Sequence, residues 1–173
     1  QEPARLVLLH LYGSGEEREA HAAAIAERRQ GEADPNALYE EGTGLLAAGD
    51  AAAALDLLAR AAPGLAGSNF EEAAWYNLGL AAYRLERWRE AESALERAAA
   101  LNPARAETHF QRGVALFRLE RCAEAIVVLR RALELKPDRH QAHYFLGRCH
   151  TALGERELAA REEELYRRAG PGR

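Results

Sequence analysis

The stretch from Glu72 to Arg105, EAAWYNLGLAAYRLERWREAESALERAAALNPAR, decides the fold. It predicts two antiparallel helices, because its apolar and small residues fall on one face of each helix. In the first helix these residues are Trp75, Leu78, Gly79 and Ala82, and in the second they are Ala91, Leu95 and Ala98. Pro103 ends the unit, because proline has no amide hydrogen and cannot continue a helix.

The same pattern recurs when the sequence is shifted by 34 residues. A glycine inside a helix costs about 1 kcal/mol relative to alanine, so its recurrence indicates that another helix passes too close for a Cβ atom. The recurring alanines are the matching small residues of the second helix, and they let the two axes approach to about 8 Å. The aligned sets are Gly79, Gly113 and Gly147, then Ala91, Ala125 and Ala159, then Pro103, Pro137 and Pro171.

This pattern resembles the tetratricopeptide repeat family, whose units are about 34 residues long. The resemblance implies an all-α fold, a right-handed α-solenoid of helix-turn-helix repeats. It also implies a protein–protein interaction module that holds a protein or peptide partner, without identifying that partner. The alternative is a generic helical bundle, but a bundle shows no fixed period with proline at its end.

We predict a single tetratricopeptide-like domain over residues 1–173. Its repeats cover residues 35–71, 72–105, 106–139 and 140–173. Asp34 and Pro35 suit the N-cap and the first position of the helix that follows them. Residues 63–69 lengthen the first of these repeats by three residues, as a surface loop.

Residues 1–34 are predicted to form a degenerate first repeat. Ala20 lies 34 residues before Ala54, although the glycines around Ser14 interrupt the unit and Leu8 takes the place of the contact glycine. Terminal repeats are expected to be atypical. The alternative is a helical hairpin that only caps the stack.

The last predicted helix differs from the others in its outer face. Glu163 and Tyr166 hold positions that are apolar in the other second helices. The final helix of a repeat stack needs an outer face that tolerates water. We therefore expect the stack to end at this helix.

Composition and charge limit the classes of function. The chain has 173 residues, of which 48% are hydrophobic and 29% charged, which fits one soluble unit. No stretch approaches the roughly 18 apolar residues of a membrane span. Arginines mostly alternate with glutamates and form no basic stripe, which argues against a nucleic-acid partner.

The charge is distributed unevenly along the chain. Residues 1–71 carry 5 basic and 12 acidic side chains, a net charge of −7, and residues 72–173 carry 18 and 15, a net charge of +3. Such polarity suits a partner of opposite polarity or a homo-oligomer stacked head to tail. The alternative is that the uneven charge arose by sequence drift on solvent-exposed faces and has no function.

The sequence also suggests an origin. Lys136 is the only lysine, and this excess of arginine suggests a GC-rich bacterial genome. The chain begins at Gln1 and contains no methionine, so we expect a processed protein or an excised domain. The expected location is the bacterial cytoplasm, or the periplasm if a signal peptide was removed before Gln1.

The family resemblance implies that the first helices of the repeats line a concave groove. One face of these helices carries aromatic residues in successive repeats, with arginines and amides beside them. Aromatic rings supply large contact areas and arginine binds carboxylates in bidentate fashion, so we predict that this face binds a peptide segment or a helix. The predicted peptide-binding residues are Tyr39, Tyr76, Asn77, Leu80, Tyr83, Arg84, Phe110, Gln111, Val114, Phe117, Arg118, Tyr144 and Arg148.

The alternative is that these rings fill the space between neighbouring repeats, and for Tyr83 and Phe117 both interpretations stand. Tetratricopeptide repeats that bind the C-terminal carboxylate of chaperones use lysines and asparagines at set groove positions. Here Tyr76, Leu80 and Phe110 stand at those positions. We therefore predict that this chain does not bind in that way.

The candidate metal ligands are three histidines and a cysteine, namely His140, His143, Cys149 and His150. His143 takes the place of Trp75 and His150 that of Ala82, both helix-contact positions. Packed side chains explain these histidines, and we predict no metal and no other cofactor. Cys122 and Cys149 lie on neighbouring predicted helices and form either free buried thiols or a disulfide.

Nothing in the sequence indicates an enzyme. There is no glycine-rich phosphate loop after a strand and no GxSxG nucleophile motif. Two alternatives to a simple binding module stay open, namely a self-assembling scaffold and a regulatory domain cut from a larger enzyme.

Overall fold

The computed structural model describes residues 34–170 of the chain. The chain divides into two units, residues 1–34 and 35–173, and all the described helices belong to the second. The degenerate repeat predicted for residues 1–34 lies outside the described residues except for Asp34, and so does Pro171.

The described residues form eight α-helices and no strand, so the predicted all-α fold is confirmed. Short turns join these helices. None of these helices is long and apolar enough to cross a membrane. Their bounds are α1 Pro35–Ala48, α2 Ala51–Gly64, α3 Glu71–Arg84, α4 Trp88–Leu101, α5 Ala106–Arg118, α6 Cys122–Leu135, α7 Gln141–Ala152 and α8 Arg156–Ala169.

Each helix packs against the next one in the chain, which gives the predicted α-solenoid of helix-turn-helix pairs. The odd-numbered helices also contact one another, α1 with α3, α3 with α5 and α5 with α7. No even-numbered helix in the described part contacts another even-numbered helix. The odd-numbered helices therefore lie on the shorter, inner side of the curved stack.

Glycine permits the close approach of helices within three of the pairs. A Cβ atom on Gly42 would lie 2.9 Å from Cγ of Leu58. A Cβ atom on Gly79 would lie 2.6 Å from Cγ of Leu95, and the same atom on Gly113 would lie 2.6 Å from Cγ of Leu129. Gly147 differs, since its Cβ would lie 3.4 Å from Cγ of Glu163, an ordinary contact. The predicted reason for the glycine holds in the first three pairs and is wrong for Gly147.

The turn inside each helix pair uses a left-handed backbone conformation. Glycine adopts it at Gly49 and Gly154, with φ of 93° and 78°. The equivalent turns of the two middle pairs place Glu86 and Glu120 there, with φ of 58° and 61°. Residues with a Cβ atom adopt this region at a cost, so these two turns carry local strain.

The core consists mainly of leucine and alanine at the helix contacts. Leu58, Leu95 and Leu129 are fully buried at equivalent positions of α2, α4 and α6. In α8 the equivalent residue is Glu163, and Ala159 is the buried residue of that helix. The described stack thus presents a polar last helix, as the sequence predicts.

Candidate binding surface on the odd-numbered helices

We use the term odd-helix face for the inner surface formed by α1, α3, α5 and α7. The predicted peptide-binding residues lie on these four helices and differ in exposure. Seven are half-buried, namely Tyr39, Tyr76, Asn77, Leu80, Tyr83, Gln111 and Phe117. Four are exposed, namely Arg84, Arg118, Tyr144 and Arg148, and two are buried, namely Phe110 and Val114.

The prediction of an accessible ring at Phe110 is wrong. Phe110 is only 8% exposed and Val114 only 1%. Phe145 of the next odd-numbered helix packs edge-on against Phe110, with ring centroids 6.0 Å apart. Because Phe145 joins the same apolar cluster as both residues, a ligand has little access to them.

Arginines from the turns between repeats stack on two of the predicted aromatic positions. The guanidinium of Arg105 lies 3.8 Å from the ring centroid of Tyr76, and that of Arg139 lies 4.9 Å from Phe110. Arg105 donates to both carboxylate oxygens of Glu72, at 2.9 and 3.0 Å, and Arg139 donates to Glu107 at 2.6 Å.

These ion pairs hold each guanidinium over its ring, so they shape the edge of the odd-helix face. Arg105 and Arg139 are absent from the predicted set of site residues. Their spacing of 34 residues is the signal that would have revealed them.

Polar contacts join α1 to α3 at one end of the odd-helix face. The Asn77 amide donates to the hydroxyl of Tyr39 at 3.5 Å, and Nη1 of Arg84 donates to the carbonyl of Leu46 at 2.5 Å. Phe70, which precedes α3 and is 50% exposed, packs against Tyr39 with centroids 5.6 Å apart. Phe70 is an accessible ring that the repeat pattern does not predict, because it directly follows the inserted loop and the next repeats have no ring at its position.

The rings at the C-terminal ends of α3 and α5 are shared between core and surface. Tyr83 packs edge-on against Trp88 at 5.3 Å, and Phe117 packs against Phe145 at 5.5 Å. Both Tyr83 and Phe117 also border the buried apolar clusters, and burial raises the pKa of the Tyr83 hydroxyl. The packing interpretation therefore holds for both rings, and their role in binding stays a prediction.

A cavity lies at the C-terminal end of the odd-helix face. Its volume is about 360 Å³, and its lining includes the ring of Tyr144, which is 43% exposed. Tyr166 of α8 packs against Tyr144, with centroids 5.6 Å apart. The other lining residues are Arg148, Glu163 and Arg167.

The tetratricopeptide repeat family model matches this chain over residues 76–140 and 110–173, which together make up more than half of it. The chain belongs to the tetratricopeptide repeat family. This result confirms the resemblance seen in the sequence and identifies the chain as a protein-interaction module of that family. A comparison with curated proteins found no match.

Solved tetratricopeptide repeat structures share this fold. The structure of MamA MSR-1 has a TM-score of 0.71 and 23% identity, and the match covers 95% of this chain and 96% of that one. The first TPR of Spaghetti (RPAP3), bound to the HSP90 peptide SRMEEVD, has a TM-score of 0.61 and 28% identity. That match covers 70% of this chain and 94% of the other.

Two histidines of the last tetratricopeptide repeat pair with carboxylates, one on α8 and one in the turn before it. Nδ1 of His143 lies 2.6 Å from Glu162, and Nδ1 of the buried His150 lies 2.5 Å from Glu155. Within residues 34–170, no group of three or more potential metal ligands comes together. His150 fills a helix contact, as predicted from its place in the repeat.

The two cysteines are buried free thiols at the contact between α6 and α7. Burial raises the pKa of the Cys149 thiol to about 12, and a hydrogen bond with Cys122 adds to this shift. Because only the thiolate is a strong nucleophile, the raised pKa and the burial of Cys149 make this thiol unreactive in the folded chain. Of the two predicted alternatives, the structure has the free thiols.

Proposed function

We propose that the odd-helix face holds a peptide segment or a helix of a partner protein. The observation that carries this proposal is the row of half-buried and exposed rings along α1, α3 and α7, with exposed arginines beside them. Such rings offer a large contact area and lose few rotamers on binding. The likeness to a tetratricopeptide repeat structure bound to a peptide supports the same conclusion.

The proposed contact residues differ from the predicted set in two respects. Phe110 and Val114 form the floor beneath the site, since both are buried. Arg105 joins the contact set, because its guanidinium covers Tyr76 and stays partly exposed. The proposed ligand contacts are Tyr39, Tyr76, Asn77, Leu80, Tyr83, Arg84, Arg105, Gln111, Phe117, Arg118, Tyr144 and Arg148.

Tyr144 is the best anchor for testing this proposal. Its ring is 43% exposed beside the end cavity, so truncation removes little buried area. Central aromatic residues of an interface commonly contribute about 1–2 kcal/mol or more to binding. Tyr144→Ala should therefore weaken binding by roughly that amount while the chain stays folded.

The experiment selects binders from a displayed library of random 12-residue peptides and measures their affinities for the chain by fluorescence anisotropy. Selected peptides should lose affinity for Tyr144→Ala and Tyr76→Ala. Val127→Ala is the matched control, because Val127 is 69% exposed on α6, away from the odd-helix face. Peptides that lose as much affinity to Val127→Ala as to Tyr144→Ala, or a library that yields no binder, would refute the proposal.

We also propose that residues 35–173 act as one binding domain without catalysis and without a nucleic-acid partner. Arg112 and Arg121 meet at the carboxylate of Glu92, at 3.0 and 3.4 Å, which supports internal pairing of the basic residues on α4 to α6. Homo-oligomer formation stays a prediction. Sedimentation at two salt concentrations tests it, since a head-to-tail assembly held by charge dissociates as salt rises.

A further inference from the structure

We propose that the segment held on the odd-helix face is acidic and extended, with carboxylates three residues apart that pair with Arg84 and Arg118. This inference rests on the proposed function and specifies the chemistry of its ligand. Three observations carry it. Arginines on this face have no acidic partner among the described residues, and the preceding repeat holds two of them in place. The spacing of the helices also matches the spacing of side chains in an extended segment.

Three exposed arginines of the odd-helix face have no carboxylate partner among residues 34–170. They are Arg84 on α3, Arg118 on α5 and Arg148 on α7, and no ion pair joins any of them to an acidic side chain in that range. By contrast, Arg105 and Arg139 are neutralised by Glu72 and Glu107.

The acidic residues of the same face do not offset these charges. Glu72 and Glu107 are already paired, and α7 carries no acidic residue. Glu163, which lines the end cavity together with Arg148, belongs to α8. Glu40 on α1, at the position equivalent to Asn77, lies at the opposite end of the row from α7. The part of the face between α3 and α7 therefore has excess positive charge, which attracts carboxylates.

Arg84 and Arg118 are each held by the preceding repeat. One nitrogen of Arg84 donates to the carbonyl of Leu46, and the guanidinium of Arg118 lies 5.5 Å from the ring centroid of Trp88. A guanidinium has five N–H donors, so each side chain keeps donors for a ligand. Because both side chains are already positioned, less rotamer entropy is lost when a carboxylate binds.

The spacing of the helices sets the spacing of the carboxylates. Arg84 and Arg118 hold equivalent positions on α3 and α5, which contact each other, and contacting helices have axes about 8–10 Å apart. A polyproline II segment rises about 3.1 Å per residue and completes a turn in three residues. Side chains at i and i+3 of such a segment lie on one side, roughly 9 Å apart, so they match the two arginines.

The test uses fluorescein-labelled nine-residue peptides of defined charge and spacing. The acidic peptide repeats Glu-Pro-Leu three times, and matched peptides replace every Glu by Gln or by Lys. A fourth peptide has the composition of the first but groups its three glutamates together. Affinities for the chain are measured by anisotropy at low and high salt.

The Glu-Pro-Leu peptide should bind more tightly than the other three, and salt should weaken it. Arg84→Gln and Arg118→Gln should each reduce its affinity by roughly two- to fivefold, the range expected of an exposed ion pair. Arg130→Gln is the matched control, because Arg130 is exposed on α6 and forms no ion pair within the described residues. The double variant Arg84→Glu with Arg118→Glu should instead prefer the Lys peptide.

Several results would overturn the inference. One is that the Glu peptide does not bind measurably, or binds no more tightly than the Gln peptide. Another is that Arg118→Gln and Arg130→Gln reduce the affinity for the Glu peptide equally. A third is that a single-stranded oligonucleotide of the same charge binds as tightly as the Glu peptide. Failure here is distinguishable from failure of the proposed function. If the displayed library yields peptides that need Tyr144 but carry no excess of acidic residues, the odd-helix face binds peptides and the acidic preference alone is wrong.

Discussion

Leu129 occupies the space that any side chain on Gly113 would need. A Cβ atom at Gly113 would lie 2.6 Å from both Cγ and Cδ2 of Leu129, far inside van der Waals contact. Because Leu129 is fully buried, it has no free space into which to move. The glycine is therefore required by the packing of α5 on α6.

The first prediction compares this glycine with its counterpart in the last repeat. Gly113→Ala should lower the free energy of unfolding by roughly 1–3 kcal/mol through overpacking. Gly147→Ala should be neutral or stabilising by up to about 1 kcal/mol, because alanine is the better helix former. Urea unfolding measures both variants, and equal effects at the two sites would contradict the packing described for Gly113.

The second prediction concerns the buried ring at Phe110. Phe110→Ala should lower the free energy of unfolding by about 3–5 kcal/mol, because it leaves a cavity in the core between α5 and α7. Tyr144 holds the equivalent position two helices further along the chain. Tyr144→Ala should lower the free energy of unfolding much less, because that ring is 43% exposed. Thermal unfolding of the two variants decides the matter, and similar melting temperatures would show that Phe110 is not a core residue.

The third prediction uses the strained turn at Glu120. This residue has φ of 61°, a region that costs a residue with a Cβ atom roughly 1–2 kcal/mol. Glu120→Gly removes that cost, but glycine loses more backbone entropy on folding than glutamate does. The free energy of unfolding should therefore rise by roughly 0.5–1 kcal/mol. Glu120→Ala is the control, since it removes the same side-chain charge and keeps the strain. A gain of equal size for the alanine variant would assign the effect to charge.

The fourth prediction concerns the cysteines at alkaline pH. The pKa of Cys149 is raised from its ordinary value of 9.0 to about 12 in the folded chain, chiefly by burial. Between these values the unfolded chain releases this proton and the folded chain keeps it, so the free energy of unfolding falls as pH rises.

Cys149→Ala should reduce this fall in alkaline urea titrations, and an unchanged slope would contradict the assignment. Reactivity provides a second measurement. A thiol-specific reagent at neutral pH should leave both cysteines unmodified in the folded chain and modify both after unfolding, because both thiols are buried only in the folded chain.

The sequence by itself determined the repeat and its helices. Helix formation, helix termination and the need for a small residue at a contact are local properties. They appear in the 34-residue recurrence of Gly79, Ala91 and Pro103. The same recurrence predicted the polar last helix, because Glu163 stands where the other repeats have leucine. It also indicated which helices carry the rings, since equivalent positions in a repeat stack lie on equivalent faces.

Only the tertiary structure decided which of those rings are accessible. Phe110 is buried because Phe145, which has no aromatic counterpart at Asn77 or Gln111, packs against it from the next repeat. Likewise, Glu155 from the turn before α8 partners His150, which stands where Ala82 lies in an earlier repeat. These contacts depend on the volumes and charges of side chains at non-equivalent positions in neighbouring helices. Periodicity cannot report such differences, because it records only what the repeats share.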